Sequence, residues 1–366
     1  MIIGVLGGGQ LGRMLALAGY PLGFEFVFLD HAADAPAGQL APLLCGEFTD
    51  ETRLTELAER ADVITFDWEN VPLETARFLA RRGRVRPPLA ALAAAQDRVS
   101  EKRLFERLRI PTTRWRAVHT QADLARALAE IGLPGVLKTR HLGYDGKGQA
   151  SVRSVADAER AWERLGGVPL MYEEHVDFDF EVSIIGVRAR DGRTALYPLS
   201  LNMHAAGMLR LTRAPYGSQR LQRLAGQYLR RMLAHFRYVG VLTIEFFVRT
   251  GRLIANEIAP RVHNSGHWTI EGADTSQFEN HLRAIGGLPL GSTRARGHSA
   301  MINLIGSLPP RAALLAYPDL HLHEYGKRPR PGRKLGHCTL VAASAHARDT
   351  RARRLLAELA PEIRIP

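Results

Sequence analysis

The chain opens on "IIGVLGGGQLGRM", in which the apolar, β-forming residues 2–6 run straight into glycines at 7, 9 and 12. Few backbones can turn from a strand into a helix that abruptly. Gly7 turns the chain, Gly9 lets a bound group approach the backbone, and Gly12 lets the helix pack on the strand. Later runs keep the rhythm: "FEFVFLD", "DVITF" and the short "RVRP" alternate with amphipathic segments near 10–19, 50–60 and 72–82. Such alternation predicts a parallel sheet covered by helices on both faces. The glycine spacing also suits a dinucleotide loop, with Asp30 near the distance of a ribose-binding carboxylate. Any tight strand-to-helix turn selects glycine as well, so NAD is one of two readings at this point.

A length of 366 residues allows two or three domains. "RRGRVRPP" closes the first unit and "LAALAAAQ" reads as a connecting helix. After a helix around 98–108, the strands "TRWRAV", "GVLKTR", "ASVRS", "LMYEEHV" and "FEVSIIGVRA" follow in close succession. Turn signals between them predict hairpins and an antiparallel sheet. A helix near 218–235 leads into a long hairpin, and "GGLPLGSTRARGHS" marks the start of a smaller basic unit. The fold class is therefore α/β followed by α+β.

The formal charge of +12 is spread along the chain without a nucleic-acid recognition signature. Anionic small substrates are the simpler partner, with solvated basic faces the alternative. Cys45 and Cys338 have no CxxC or Cys/His spacing, which predicts neither a disulfide framework nor a structural zinc and suits a reducing cytoplasm. No apolar run approaches the roughly 20 residues of a membrane span, so no membrane partner is expected.

The hairpin "TIEFFVRTGRLIANEI" carries the clearest chemistry. Ile244, Phe246 and Val248 alternate with Glu245 and Phe247, while Ile254 and Ile258 share a face opposite Glu257. An odd-numbered loop around Thr250 and Gly251 brings Glu245 and Glu257 onto one face; a two-residue loop sets Glu245 opposite Asn256. The odd loop separates apolar from polar residues better and is the expected one. Two facing carboxylates repel and ask for a cation, and hard oxygen donors select Mg²⁺ with substrate phosphates. The alternative is that one glutamate is merely exposed on a solvated face.

"KTRHLGYDGKGQ" supplies Lys138, Lys147 and glycines 143, 146 and 148, a loop whose amides can wrap phosphate oxygens. It lacks the GxxxxGK[ST] of a P-loop. In "YEEHVDFDFEVS", a strand ending at Glu173 and Glu174 can offer a backbone edge to adenine, and Glu181 suits ribose hydroxyls. His263 and His267 in "HNSGH" have helical spacing, yet Asn-Ser-Gly argues for a turn and no third zinc ligand is evident.

In order, "GGGQLGRM", "QDRVSEKRLF", "GYDGKGQ", the segment from Glu173 to Glu181, "NEIAPRVHNSGH" and "RPGRKLGH" resemble the ATP-grasp superfamily. They most closely resemble its N5-carboxyaminoimidazole ribonucleotide synthetase family, of de novo purine synthesis, over about residues 4–338. The resemblance implies a Rossmann-like domain at 1–97, an ATP-grasp domain at 98–288 and a small C-terminal domain at 289–366. It implies ATP contacts from Arg98, Lys138, the loop Gly143, Tyr144, Asp145, Gly146, Lys147, Gly148 and Gln149, and from Glu173, Glu174, His175, Val176, Glu181, His204, Asn256 and Glu257. Glu245 and Glu257 would hold Mg²⁺; Ala259 stands where relatives often carry the asparagine of E-x-N-P-R, which leaves the role of Asn256 open.

Catalytic roles are implied for Tyr144, Asp145, Arg261, His263, Asn264 and Ser265. Gln10 and Leu11 would face 5-aminoimidazole ribonucleotide, and Lys327, Arg333 and Lys334 would clamp its 5′-phosphate. The implied reaction activates bicarbonate with ATP as carboxyphosphate and carboxylates the ribonucleotide's amine. A cytoplasmic homodimer is implied, and the glycine loop borders the ribonucleotide without NAD. Another ATP-grasp carboxylate-amine ligase, or an NAD-dependent oxidoreductase, is the alternative.

Overall fold

The computed structural model describes residues 1–143 and 148–359. Its first unit is a parallel sheet of Ile2–Leu6, Glu25–Asp30, Leu43–Cys45 and Val63–Phe66, in spatial order third, second, first, fourth. Strand order reverses beside Ile2–Leu6, which opens a crevice at the carboxyl ends of Ile2–Leu6 and Val63–Phe66, the usual place for ligands in such sheets. Helices Gln10–Gly19, Glu51–Arg60 and Leu73–Ala80 follow the expected segments. The second starts where Asp50 accepts hydrogen bonds from the amides of Thr52 and Arg53. "RVRP" contributes only an isolated bridge from Val85 to Ile64.

Helices Leu89–Gln96 and Arg98–Arg107 lead into a four-stranded antiparallel sheet of Trp115–Val118, Leu170–Glu174, Gly135–Thr139 and Gln149–Val152, in that spatial order. Here the expected run of hairpins holds only in part: the sheet is antiparallel as expected, and outside it the "RDGR" turn joins Phe180–Arg188 to Thr194–Leu196. Helices Gln121–Ile131 and Val155–Leu165 separate these strands, and only Gly135–Thr139 with Gln149–Val152 forms a hairpin. Both helices carry readable start signals: Thr120 and Asp123 make a capping box, and Ser154 accepts from the Asp157 amide.

A nine-stranded sheet forms the rest of the frame. Phe180–Arg188 lies between Gly240–Arg249 and Ser200–Ala205, and Met208–Ala214 pairs with His298–Ile305. Lys334–Ala342 and Leu320–Glu324 follow, so the strands after residue 289 extend the same sheet. Helix Gln219–His235 covers one face through Leu229, Met232 and Leu233 against Ile184, Leu242 and Ile244. On the other face Leu11, Met14 and Leu15 of the first unit share a core with Ile185, Val187, Val241, Trp268 and Phe278. That shared core holds the glycine loop against the sheet. Among the described residues no helix is long and apolar enough to cross a membrane.

Candidate active site

The hairpin pairs its carboxylates by a different route from the one expected. Its turn is the two residues Thr250 and Gly251, both left-handed at φ 47° and 70°, with Arg249 opposite Arg252. Phe246 still faces Ala255, but the next pair is Glu245 with Glu257. A β-bulge at Asn256 supplies the parity that the turn withholds. Because the bulge lies between them, Ile254 and Ile258 do not share a face. Ile254 pairs with Phe247, while Leu253, Ala255 and Ile258 join Ile244, Phe246 and Val248 in the core.

Glu245 is mostly buried, with 13% of its side chain exposed, and Glu257 is more open at 43%. Burial, reinforced by the charge of Glu257, pushes the Glu245 carboxyl up to about 7, against the pull of His204 and Lys334. Glu101, overlooked in the sequence, is buried behind them and accepts from the Ile258 amide at 2.6 Å. Burial and then Glu257 push it up to about 8. Among the described residues no three His, Cys, Asp or Glu side chains are grouped to hold a metal alone. The facing, mutually repelling Glu245–Glu257 pair offers hard oxygen donors that fit a cation taking its remaining ligands from elsewhere.

Arg98 spans from this pair to the glycine-rich loop: Nη1 lies 3.8 Å from Glu257 Oε2, and Nη2 donates to the Gly143 carbonyl at 3.3 Å. At the other end Gly148 is left-handed, its carbonyl accepts from the Thr139 amide at 2.8 Å, and Gln149 pairs with Lys138. Tyr144, Asp145, Gly146 and Lys147 lie outside the described residues. Glu181 Oε2 lies 2.8 Å from His204 Nδ1. Burial opposes protonation of His204, but that bond and the charge of Glu245 prevail and push it up to about 9.

Glu173 is consumed inside the protein. Lys138 pairs with it, Lys102 Nζ lies 3.1 Å away, and Thr113 Oγ1 donates to it at 2.9 Å. Burial alone would raise this carboxyl, yet the two ammonium groups hold it far below the usual range. Glu174 likewise accepts from the amide and Nε of Arg114, each at 2.9 Å. Both side chains are thus directed into ion pairs, and the strand end runs on through exposed His175 to buried Val176. Asn256 offers its carbonyl to Lys102 at 3.2 Å. Nearby, Phe178 stacks on Phe247 at 4.8 Å, an aromatic face that the sequence reading missed.

The glycine loop is filled by the chain's own acids. Asp30 Oδ2 accepts from the Gly8 amide at 2.7 Å and Asp67 Oδ2 from the Gly12 amide at 3.0 Å. A Cβ on Gly7 would stand 1.7 Å from Asp67 Oδ1. Two amides that could meet a pyrophosphate are thus taken by carboxylates of the chain, an arrangement that disfavours a dinucleotide in this loop. Burial, with Asp30 adding to it, pushes Asp67 up to about 6 despite the Gly12 hydrogen bond.

Gln10 accepts a hydrogen bond from Lys327, whose ammonium is pushed down to about 8 by burial and then by Arg333. Leu11 does not face the cleft: its side chain packs in the core, as the inward stripe of its helix requires. Arg333 is held to the Arg328 carbonyl at 3.2 Å, and the charge of Lys334 is felt at Glu69, Glu245 and His263. Arg261 is paired with Glu69, another group the sequence reading missed. The carboxyl end of Val63–Phe66, which presents Asp67 and Glu69, was the available signal. His263 Nε2 lies 3.3 Å from Glu245 Oε1, and burial followed by Arg261 lowers its basicity far below that of a free imidazole. Ser265 is buried in the turn Asn264–Gly266, and both polar side-chain atoms of Asn264 are buried without a partner.

Three family profiles match in succession: the ribonucleotide synthetase preATP-grasp domain at 1–96, the ATP-grasp domain at 103–278 and the phosphoribosylaminoimidazole carboxylase C-terminal domain at 299–351. The N5-carboxyaminoimidazole ribonucleotide synthase of Pseudomonas aeruginosa is 55% identical over 343 residues, 94% of this chain and 95% of that one. The chain belongs to the N5-carboxyaminoimidazole ribonucleotide synthase family. The solved synthetase of Thermus thermophilus superposes with a TM-score of 0.95 at 51% identity and full coverage of both chains. A synthase of Aspergillus clavatus, solved with ADP and 5-aminoimidazole ribonucleotide, gives 0.91 at 32% identity over 99% of each. Members of this synthase family are ATP-dependent ligases with the ATP-grasp fold.

Proposed function

We propose that this chain carboxylates the exocyclic amine of 5-aminoimidazole ribonucleotide at the expense of ATP, giving N5-carboxyaminoimidazole ribonucleotide, ADP and phosphate. The observation that carries this reading is the Glu245–Glu257 pair under the Gly143 end of the glycine-rich loop. In the first step a bicarbonate oxygen attacks the γ-phosphorus and ADP leaves, forming carboxyphosphate. In the second the amine takes up the carboxyl carbon, directly or after release of CO₂, and phosphate departs.

Positioning and charge neutralisation do most of this work. Arg98, Lys138 and the loop from Gly143 to Gln149 hold the triphosphate, and Arg261 steadies charge developing on the oxyanions. Glu245 and Glu257 hold Mg²⁺, which supplies neutralisation of phosphate charge when bound. His263 offers an N–H donor, and the unpartnered amide of Asn264 awaits a polar ligand atom. Asp145 accepts or orients the amine proton. Gln10, Lys327, Arg333 and Lys334 line the ribonucleotide side, with the three cations taking its 5′-phosphate.

The chain works as a homodimer in the cytoplasm, where its free thiols Cys45 and Cys338 stay reduced. Phosphate release from ATP, measured with and without the aminoimidazole ribonucleotide at controlled bicarbonate, tests the reading. Release that needs both co-substrates supports it; release indifferent to the ribonucleotide contradicts it.

A further inference from the structure

His263 meets Glu245 through Nε2, and its other ring nitrogen ends a row of buried polar groups. Ser265 Oγ lies 2.8 Å from Nδ1, and Ser183 Oγ lies 2.7 Å from Ser265 Oγ. Asn202 Nδ2 is 3.0 Å from Ser183 Oγ, and Thr212 Oγ1 is 3.0 Å from Asn202 Oδ1. All four residues are buried. Ser183 is the register partner of Glu245, and Asn202 pairs with Glu181 on one side and Thr212 on the other. The row therefore shares a sheet face with the acidic groups of the site.

Hydroxyls and an amide can be linked in two directions, and each direction leaves a neutral histidine in a different tautomer. One backbone group shows which direction the row takes. The Ser265 N–H, which can only donate, points at Nδ1 from 3.3 Å. Nδ1 is thus an acceptor, shared by the amide and hydroxyl of Ser265. Ser183 then donates to Ser265, Asn202 to Ser183, and Thr212 to the Asn202 carbonyl. The opposite order would leave the Ser265 N–H pointing at a protonated Nδ1.

We infer that Ser183, Asn202 and Thr212 are positioning residues. Together with the Ser265 amide they form a one-way hydrogen-bond chain that keeps the His263 proton on Nε2 and aims it at Glu245 and the oxyanions formed beside it. The inference rests on the reading of His263 and Glu245 as groups of the reaction site. Its reach is long: Thr212 acts on the site through three intervening side chains and the imidazole.

The test uses the full chain labelled with ¹⁵N-histidine, with long-range ¹H–¹⁵N spectra and the His263 signals assigned by their loss in His263→Gln. A protonated Nε2 with an unprotonated Nδ1 is expected. Ser183→Ala and Thr212→Val should mix the tautomers and lower kcat about tenfold, with KM for ATP moved by less than about twofold. Thr212→Ser restores the hydroxyl and should restore kcat, which a purely structural defect would not require. If Ser183→Ala fails to fold, the Thr212 pair decides. A wild-type His263 protonated on Nδ1, or a Thr212→Val chain with unaltered tautomer and kcat, overturns the inference. The spectrum needs no turnover, so the tautomer is read independently of whether the carboxylation reaction occurs.

Discussion

Lys327 donates a hydrogen bond to Gln10 across 317 residues of sequence. The contact brings the basic turn before strand Lys334–Ala342 to the first helix behind the glycine loop. Burial lowers the Lys327 pKa to about 8, which leaves most of the ammonium charged at neutral pH.

Lys327→Ala is therefore expected to weaken the ribonucleotide rather than the nucleotide. A lost charge-assisted hydrogen bond is worth about 1.5–3 kcal/mol, or roughly a tenfold to hundredfold rise in KM for 5-aminoimidazole ribonucleotide. Steady-state kinetics with each substrate varied in turn would show it; an equal rise in KM for ATP would count against this placement.

With the pair as the proposed Mg²⁺ ligands, Glu245→Gln and Glu257→Gln should each lower kcat by about a hundredfold or more, a loss of several kcal/mol of charge stabilisation. Circular dichroism should report an unchanged fold. The apo form of Glu245→Gln should melt no lower than the parent at pH 8, because a buried, repelled carboxylate has been removed.

Glu101 gives a pH signature with a definite sign. Its folded pKa, about 8, lies above the ordinary glutamate value. Between that ordinary value and pH 8 the folded state binds more protons than the unfolded state, so stability falls as pH rises. Denaturant titrations of the metal-free protein from pH 5 to 8 should show this decline, up to about 1.4 kcal/mol per pH unit. In Glu101→Gln that part of the slope should vanish; an identical slope in both proteins would contradict the assignment.

Gly7→Ala places a Cβ against Asp67 and forces a side chain onto φ 99°. A loss of about 1–3 kcal/mol is expected, read as a lower melting temperature. No NAD binding should appear by fluorescence or calorimetry in either protein, because Asp30 and Asp67 occupy the loop amides.

The parts of the fold legible in the sequence were those written in local periodicity: the strand-glycine-helix opening, helix Gln219–His235 and the hairpin that carries Glu245 and Glu257. The bulge at Asn256 carried no local mark of its own. It was visible only as a conflict, a Thr-Gly turn demanding one parity and two carboxylates another. Helices Gln121–Ile131 and Val155–Leu165 were announced by their caps, but short β-forming runs on either side outweighed those signals. Asp67 on Gly12, Glu69 on Arg261 and Lys102 on Glu173 join residues distant in sequence, and no spacing rule reaches them.

A crystal structure with Mn²⁺ in place of Mg²⁺ and a non-hydrolysable ATP analogue tests the shared-ion site most directly, because the ion's anomalous signal locates it independently. Oxygen atoms of both Glu245 and Glu257 should lie about 2.1 Å from an ion that also touches the phosphates. An ion bound by neither carboxylate, or a triphosphate seated away from the hairpin, would contradict it.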